Sequence, residues 1–211
     1  ACFGNNLQEA FLAAIEATGF KLPPVDGSIL VSIAKSDSVV EGQDARHEFL
    51  PYMKQMEELG LTLYGTPGTA EYYQKHGIDV TPLAKPRATS FAVEGEAPVS
   101  ADAMDEDRPK LSDDESEEIT APTIEKALEV IRSGKIHMVI NVPEGSNKEG
   151  AVSNGYMIRR TTVDFGISLL TNIKVAKLFV ESFSKKHAIG AGGLNMPVQT
   201  IQEFYEVDKL I

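Results

Sequence analysis

A single cysteine, Cys2, in 211 residues excludes a disulfide framework and any cysteine-based zinc site. Tryptophan is absent and histidine occurs four times, so the chain is short of metal ligands. No run of 18 apolar residues exists, which excludes a membrane-spanning helix of the usual kind. The opening ACFGNNLQEAFLAAIEATG lacks the basic-then-apolar layout of a secretory signal. The cytoplasm is the expected compartment, with the mitochondrion the alternative and the native amino terminus expected elsewhere. Neither a GxxxxGKS/T loop nor a GxGxxG turn is present, and no serine sits in a GxSxG elbow. His47, His76, His137 and His187 have no carboxylate in register. His76 suits a helix-end cation, and His137 falls at the end of its strand remote from a site. Nothing announces an enzyme.

What is present is ordinary globular material, 42% hydrophobic and 24% charged, enough for one domain with attachments. The net charge of −11 is not evenly spread. Residues 91–120 hold eleven acids and two bases, a net of −9, which leaves −2 on the rest of the chain. That stretch is poor in aromatic and β-branched residues and rich in Pro, Ser, Asp and Glu. It cannot bury enough apolar surface to offset its ordering entropy, so roughly 88–120 is expected to be a disordered acidic insertion. A solvated loop is the simplest reading, and an acidic docking loop, with Ser112 and Ser116 beside acids, is the other.

Outside the insertion, short apolar runs alternate with amphipathic ones. SILVSIA (28–34), LTLY (61–64), IDVTPLA (78–84), KIHMVINV (135–142) and ISLLT (167–171) read as strands. Helices are predicted over 42–60, with an irregular start or kink at Pro51, over TAEYYQKHG, and over 121–135, 155–166 and 173–186. The pattern predicts an α/β fold, an open parallel five-stranded sheet with helices on both faces in three layers. One domain is expected over 26–186, preceded by a helix within 1–25 (5–18) and followed by an extension, 187–211, in which QTIQEFYEV forms a short helix.

In such sheets ligands bind beyond the carboxyl ends of the strands. After the second strand comes Gly65-Thr66-Pro67-Gly68-Thr69, running into a helix whose N–H groups and dipole favour an anion. Lys85 follows the third strand, Asn141 and a polar turn (143–147) follow the fourth, and Arg46 lies near the start of the first of these helices. Together they converge on a phosphate or carboxylate. The GTPGT turn alone is weak evidence, because capping threonines are common at strand–helix junctions. Arg159-Arg160 offer another anion contact. Adjacent helical residues point about 100° apart, so one of the pair is expected to partner an acid such as Asp164.

LYGTPGTAEYYQKHGIDV, KIHMVINVPEG and NGYMIRRTTVDFGISLLTNIKVAKLFVES carry a resemblance to the methylglyoxal-synthase-like domain at the carboxyl end of carbamoyl-phosphate synthase large subunits. NLQEAFLAAIEATGFKLPPVDGSILVSI is similar to that family's linker helix. The resemblance implies a regulatory rather than catalytic domain, within a ligase of the pyrimidine or arginine pathway that uses ATP, bicarbonate and glutamine or ammonia. It implies synthetase domains on the same chain, a glutaminase domain or subunit, and ATP with Mg or Mn elsewhere in that enzyme but no cofactor here. No nucleic-acid or membrane partner is expected. Effectors in the family include uridine nucleotides, inosine monophosphate, phosphoribosyl pyrophosphate and N-acetylglutamate. By motif position Thr66, Gly68 and Thr69 match the phosphate turn, Lys85 the lysine after the third strand, Asn141 the asparagine after the fourth, and Arg46 a basic residue near the first helix.

Departures from the family sharpen the expectation. N-acetylglutamate-responsive members carry a tryptophan where this chain has Lys85, and lysine suits a phosphate better. That favours UMP, UTP or phosphoribosyl pyrophosphate, with N-acetylglutamate the alternative. The threonine that bacterial members carry near Pro143 is missing. Methylglyoxal synthase shares the fold but needs an Asp base where this chain has Pro86-Arg87-Ala88, and a His after the fourth strand that is not here. An interaction module without any effector is the remaining alternative.

Overall fold

The computed structural model describes residues 2–35, 44–85, 126–143, 154–188 and 200–207. The acidic segment expected over 88–120 lies outside these residues, as do Pro86, Arg87, Ala88, Thr123 and the turn from Glu144 onward.

Five strands build the sheet: β1 (Ser28–Ile33), β2 (Thr62–Gly65), β3 (Thr81–Pro82), β4 (Met138–Val142) and β5 (Ser168–Leu170). All pairings are parallel and the order is β3-β2-β1-β4-β5. β1 is central and almost wholly buried, which is why its sequence SILVSI is apolar without alternation. Its side chains still divide between two cores. Ile29, Val31 and Ile33 enter one cluster, with α2 (Ala45–Glu48), α3 (Leu50–Glu58), α4 (Pro67–Gln74) and α7 (Ile173–Ala188) supplying the facing residues. Leu30 enters the other, opposite α5 (Ala127–Arg132) and α6 (Asn154–Asp164). This distribution is what right-handed crossovers demand when the chain first moves outward through β2 and β3 and then returns past β1 to β4 and β5. The direction reverses between β1 and β4, which makes the crevice beyond their carboxyl ends the place for a ligand.

α1 (Leu7–Ala17) lies along α7 and buries Leu12 completely, with Phe11, Ile15 and Phe20 packed against the first core. α8 (Ile201–Val207) falls within the predicted QTIQEFYEV segment. Among the described residues no helix is long and apolar enough to cross a membrane.

The long helix expected over 42–60 is two helices. The break comes at Phe49, and Pro51 stands in the first turn of α3, where its missing N–H costs nothing. The third strand is shorter than its apolar run. Pro82 cannot donate to a ladder, so β3 survives only as a two-residue edge strand, with Leu83 N–H donating to Gly65 C=O at 2.8 Å. Ile78, Val80 and Leu83 are nonetheless buried, so the apolar signal reported burial rather than pairing.

Candidate functional site

The register of the sheet brings the site together. Ser32 pairs with Asn141 across β1 and β4, and Val31 pairs with Gly65 across β1 and β2. Thr66 follows Gly65 directly and stands at the N-cap of α4. A β-carbon on Gly65 would lie 3.0 Å from both Ala70 N and Val80 Cγ1. Glycine therefore lets α4 begin this close to the sheet without displacing either neighbour.

A threonine at an N-cap normally turns its hydroxyl onto the first-turn N–H groups. Thr66 makes no such bond. Its Oγ1 lies 3.2 Å from Thr69 Oγ1 and 3.3 Å from Ser32 Oγ. Thr69 Oγ1 accepts from Ile33 N–H at 3.2 Å and donates to Ile33 C=O at 3.3 Å. Both threonines are buried, at 5% and 2% exposure. Three hydroxyls thus line the carboxyl edges of β1 and β2 beside a helix N-terminus whose usual side-chain acceptor is missing. Above that turn there is room, since a β-carbon on Gly68 would meet nothing within 4 Å.

The two threonines are separable by experiment. Thr69→Val strips the Ile33 N–H of its acceptor and should cost about 1–3 kcal/mol of stability, the range for an orphaned buried donor. Thr66→Val removes only contacts between hydroxyls and should cost about 0.5–1 kcal/mol. Both should weaken binding of inorganic phosphate. Denaturant unfolding alongside phosphate titration checks this, and equal destabilisation by the two variants would make Thr66 a structural residue.

Asn141 sits on the other side of Ser32 and is 1% exposed. Its Oδ1 accepts from Arg159 Nη1 at 2.8 Å, and its Nδ2 is buried without a hydrogen-bond partner among the described residues. Arg160, by contrast, points outward to Asp164 at 2.9 Å. The adjacent arginines are thus split as their helical phase requires.

Arg46 does not stand free in the crevice. Its guanidinium grips Asp44, with Nη2 at 2.5 Å and Nε at 3.0 and 3.1 Å from the two carboxylate oxygens. Nη1 donates to Gly68 C=O at 3.0 Å, and the group stacks over Tyr72 at 4.5 Å. The guanidinium hydrogen bond holds the Asp44 carboxyl below its usual range, and the same bond raises Arg46. Arg46 thereby braces the first turn of α4 from outside. Tyr73, fully buried, donates its hydroxyl to Arg46 C=O at 3.0 Å, and burial pushes that phenol far up. Lys85 is exposed just beyond β3, on the far side of β2 and β1 from Asn141.

Of the expected site residues, Thr66, Thr69 and Asn141 gather around Ser32, Arg46 braces the turn, and Lys85 stands exposed beyond β3. Ser32 was not among the expected site residues, and Arg159 was named only as one of a pair offering a further anion contact. Ser32 hides inside an apolar strand and becomes visible only through its pairing with Asn141. His137 lies at the opposite end of the sheet, where its Nδ1 accepts from Ser28 N–H at 3.0 Å. His76 Nδ1 is 2.7 Å from Tyr72 C=O, the helix-end role expected of it. Among the described residues no group of three or more His, Cys, Asp or Glu side chains could hold a metal ion.

The MGS-like domain family model matches residues 48–171. The chain is 35% identical to the multifunctional protein pyr1-3 of Dictyostelium discoideum over 188 residues, covering 87% of this chain and 7% of that protein. It is 32% identical to the mitochondrial carbamoyl-phosphate synthase (ammonia) of Mus musculus over 194 residues, covering 92% of this chain and 10% of that protein. Against the multifunctional protein CAD of Squalus acanthias it is 29% identical over 218 residues, with 100% of this chain and 8% of that protein covered. The chain thus spans a tenth or less of the length of these relatives.

Proposed function

Because the chain belongs to the MGS-like domain family, we propose that it is the effector-binding regulatory domain of a carbamoyl-phosphate synthase. The effector's phosphate sits against Thr66, Gly68, Thr69 and Asn141, with Lys85 on the rim and Arg46 bracing the turn. The domain performs no catalysis of its own. The synthetase domains, which use ATP and Mg or Mn, belong to the same polypeptide, and a glutaminase domain or subunit supplies nitrogen where ammonia does not. The names of the relatives support this reading.

One observation carries the choice of an anion: the buried pair Thr66 and Thr69, 3.2 Å apart, at a helix N-terminus that neither side chain caps. Hydroxyl rotors that now bond each other can turn onto a phosphate, and the α4 dipole favours negative charge there. A pyrimidine nucleotide or phosphoribosyl pyrophosphate fits better than N-acetylglutamate, since Lys85 supplies a point charge where the tryptophan of N-acetylglutamate-responsive members would stand. An effector that binds one state of the whole enzyme more tightly shifts the population toward it, with a coupling of about 1–3 kcal/mol typical of such systems.

Lys85→Ala tests the rim. A buried charged hydrogen bond contributes about 1.5–3 kcal/mol, whereas exposed ion pairs contribute about 0–1 kcal/mol. Lys85 is exposed, so UMP affinity should fall about 2- to 5-fold at low salt, and less as ionic strength rises. Calorimetric titration reads this directly. An unchanged affinity at low salt removes Lys85 from the site.

A further inference from the structure

We infer that Arg159 is the positioning residue that turns the Asn141 carboxamide into a donor, so that the site accepts only an acceptor group such as a phosphate. The inference rests on the effector-binding reading above and names the residue that sets its selectivity.

An asparagine carboxamide can present either its oxygen or its nitrogen to a ligand, and packing alone rarely distinguishes them. Here the choice is forced. A guanidinium carries donors and no acceptor, so the Asn141 atom 2.8 Å from Arg159 Nη1 must be the oxygen. The nitrogen is then directed away from Arg159, and it is the one left buried without a partner among the described residues. An orphaned buried donor costs about 1–3 kcal/mol, so its persistence points to an acceptor that arrives with the ligand.

The local fold holds this geometry. Asn141 is fixed on β4 beside Ser32, and Arg159 follows Ile158, which joins Leu30 and Val139 in the second core and so holds α6 against β4. Gly155 in the first turn of α6 leaves the approach open. A β-carbon there would lie 3.2 Å from Arg159 Nη1, 3.5 Å from Asn141 Oδ1 and 3.8 Å from Asn141 Nδ2. Bulk at this position would press on the arginine first and the amide second. The Arg160 side chain cannot substitute, because Asp164 holds it at the surface.

The test uses the 15N-labelled 211-residue chain titrated with inorganic phosphate, following the Asn141 side-chain amide and the Gly68 and Thr69 backbone amides by NMR. In the wild type all three sets of signals should move along one saturation curve. Arg159→Met keeps length and removes the donors. It should weaken phosphate binding about 10-fold, the scale of one lost hydrogen bond, and should uncouple the Asn141 signals from those of Gly68 and Thr69. Arg159→Lys, which also only donates, should recover most of the coupling. A purely structural role for Arg159 would lower stability without separating the Asn141 response from the other two. Arg159→Met with wild-type affinity and a wild-type Asn141 response overturns the inference. So does a wild-type chain in which Gly68 and Thr69 saturate while the Asn141 amide stays still, and both of these outcomes leave the effector-binding reading standing. A wild-type chain that binds neither phosphate nor UMP overturns both.

Discussion

Asn141→Asp should weaken effector binding about 100-fold or more while leaving the domain folded. The two side chains have the same shape, and the new carboxylate would face Arg159 at the 2.8 Å now spanned by the amide oxygen. Asn141 Nδ2 makes no bond that the substitution could break among the described residues. The unfolding free energy should therefore stay within about 1 kcal/mol, since a well-paired buried ion pair roughly offsets its desolvation. Binding is another matter. A phosphate placed about 4 Å from this carboxylate meets a repulsion of about 4 kcal/mol per unit charge at an effective dielectric constant of 20. Arg159 cancels part of it, so the expected loss is about 100-fold or more in affinity, or about 3 kcal/mol. Calorimetry with UMP reads the loss, and thermal unfolding confirms the fold. A variant that binds within about 3-fold of wild type would mean that the anion sits elsewhere than beside Asn141.

Phe179→Ala should have the largest effect on stability. Phe179 is fully buried on α7, stacked on Phe183 at 5.6 Å and tilted against Phe20 at 5.9 Å. Its ring ties three parts of the chain together: α7, the first core of the sheet, and the segment that follows α1. Truncating a buried phenylalanine costs about 3–5 kcal/mol, through lost transfer energy and the cavity left behind. For a chain of this size that corresponds to a fall in Tm of roughly 6–20 °C. Phe20→Ala should cost less because Phe20 is only half-buried. Denaturant titration of the two variants checks the order. A loss below about 1.5 kcal/mol for Phe179→Ala would contradict the packing described, in which the amino-terminal segment closes one face of the core.

The fold was legible because its strands are buried on both faces. Continuous apolar runs such as SILVSI and MVINV cannot be amphipathic, and strands alternating with helices leave few topologies. What escaped the sequence was set by pairing. The apolar run 78–84 predicts burial correctly, but Pro82 limits how much of it can join the sheet, and that depends on which edge it occupies. The strand order itself, which makes Ser32 a neighbour of Asn141, is a tertiary fact.

The site was partly legible for the same reason. Thr66 and Thr69 could be proposed because a small-residue turn into a helix is local, but local pattern also suggested that Thr66 was a cap. The structure speaks against the cap, since the Thr66 hydroxyl goes to Thr69 and Ser32 instead of the helix N–H groups. Arg46 drew attention as a charge near the crevice, yet Asp44 two residues earlier takes most of that charge. Asp164, four residues on, was enough to anticipate that one arginine of the pair 159–160 would be a surface partner. That the other would reach Asn141 depends on α6 packing across β4, which no local spacing encodes.

The most direct measurement is calorimetric titration of this chain with UMP, UTP, inosine monophosphate, phosphoribosyl pyrophosphate and N-acetylglutamate at one ionic strength. Saturable binding of a uridine nucleotide or of phosphoribosyl pyrophosphate, competed by inorganic phosphate, is the predicted result. Binding of N-acetylglutamate alone, or of none of the five, would contradict a phosphate site built on Thr66, Thr69 and Asn141.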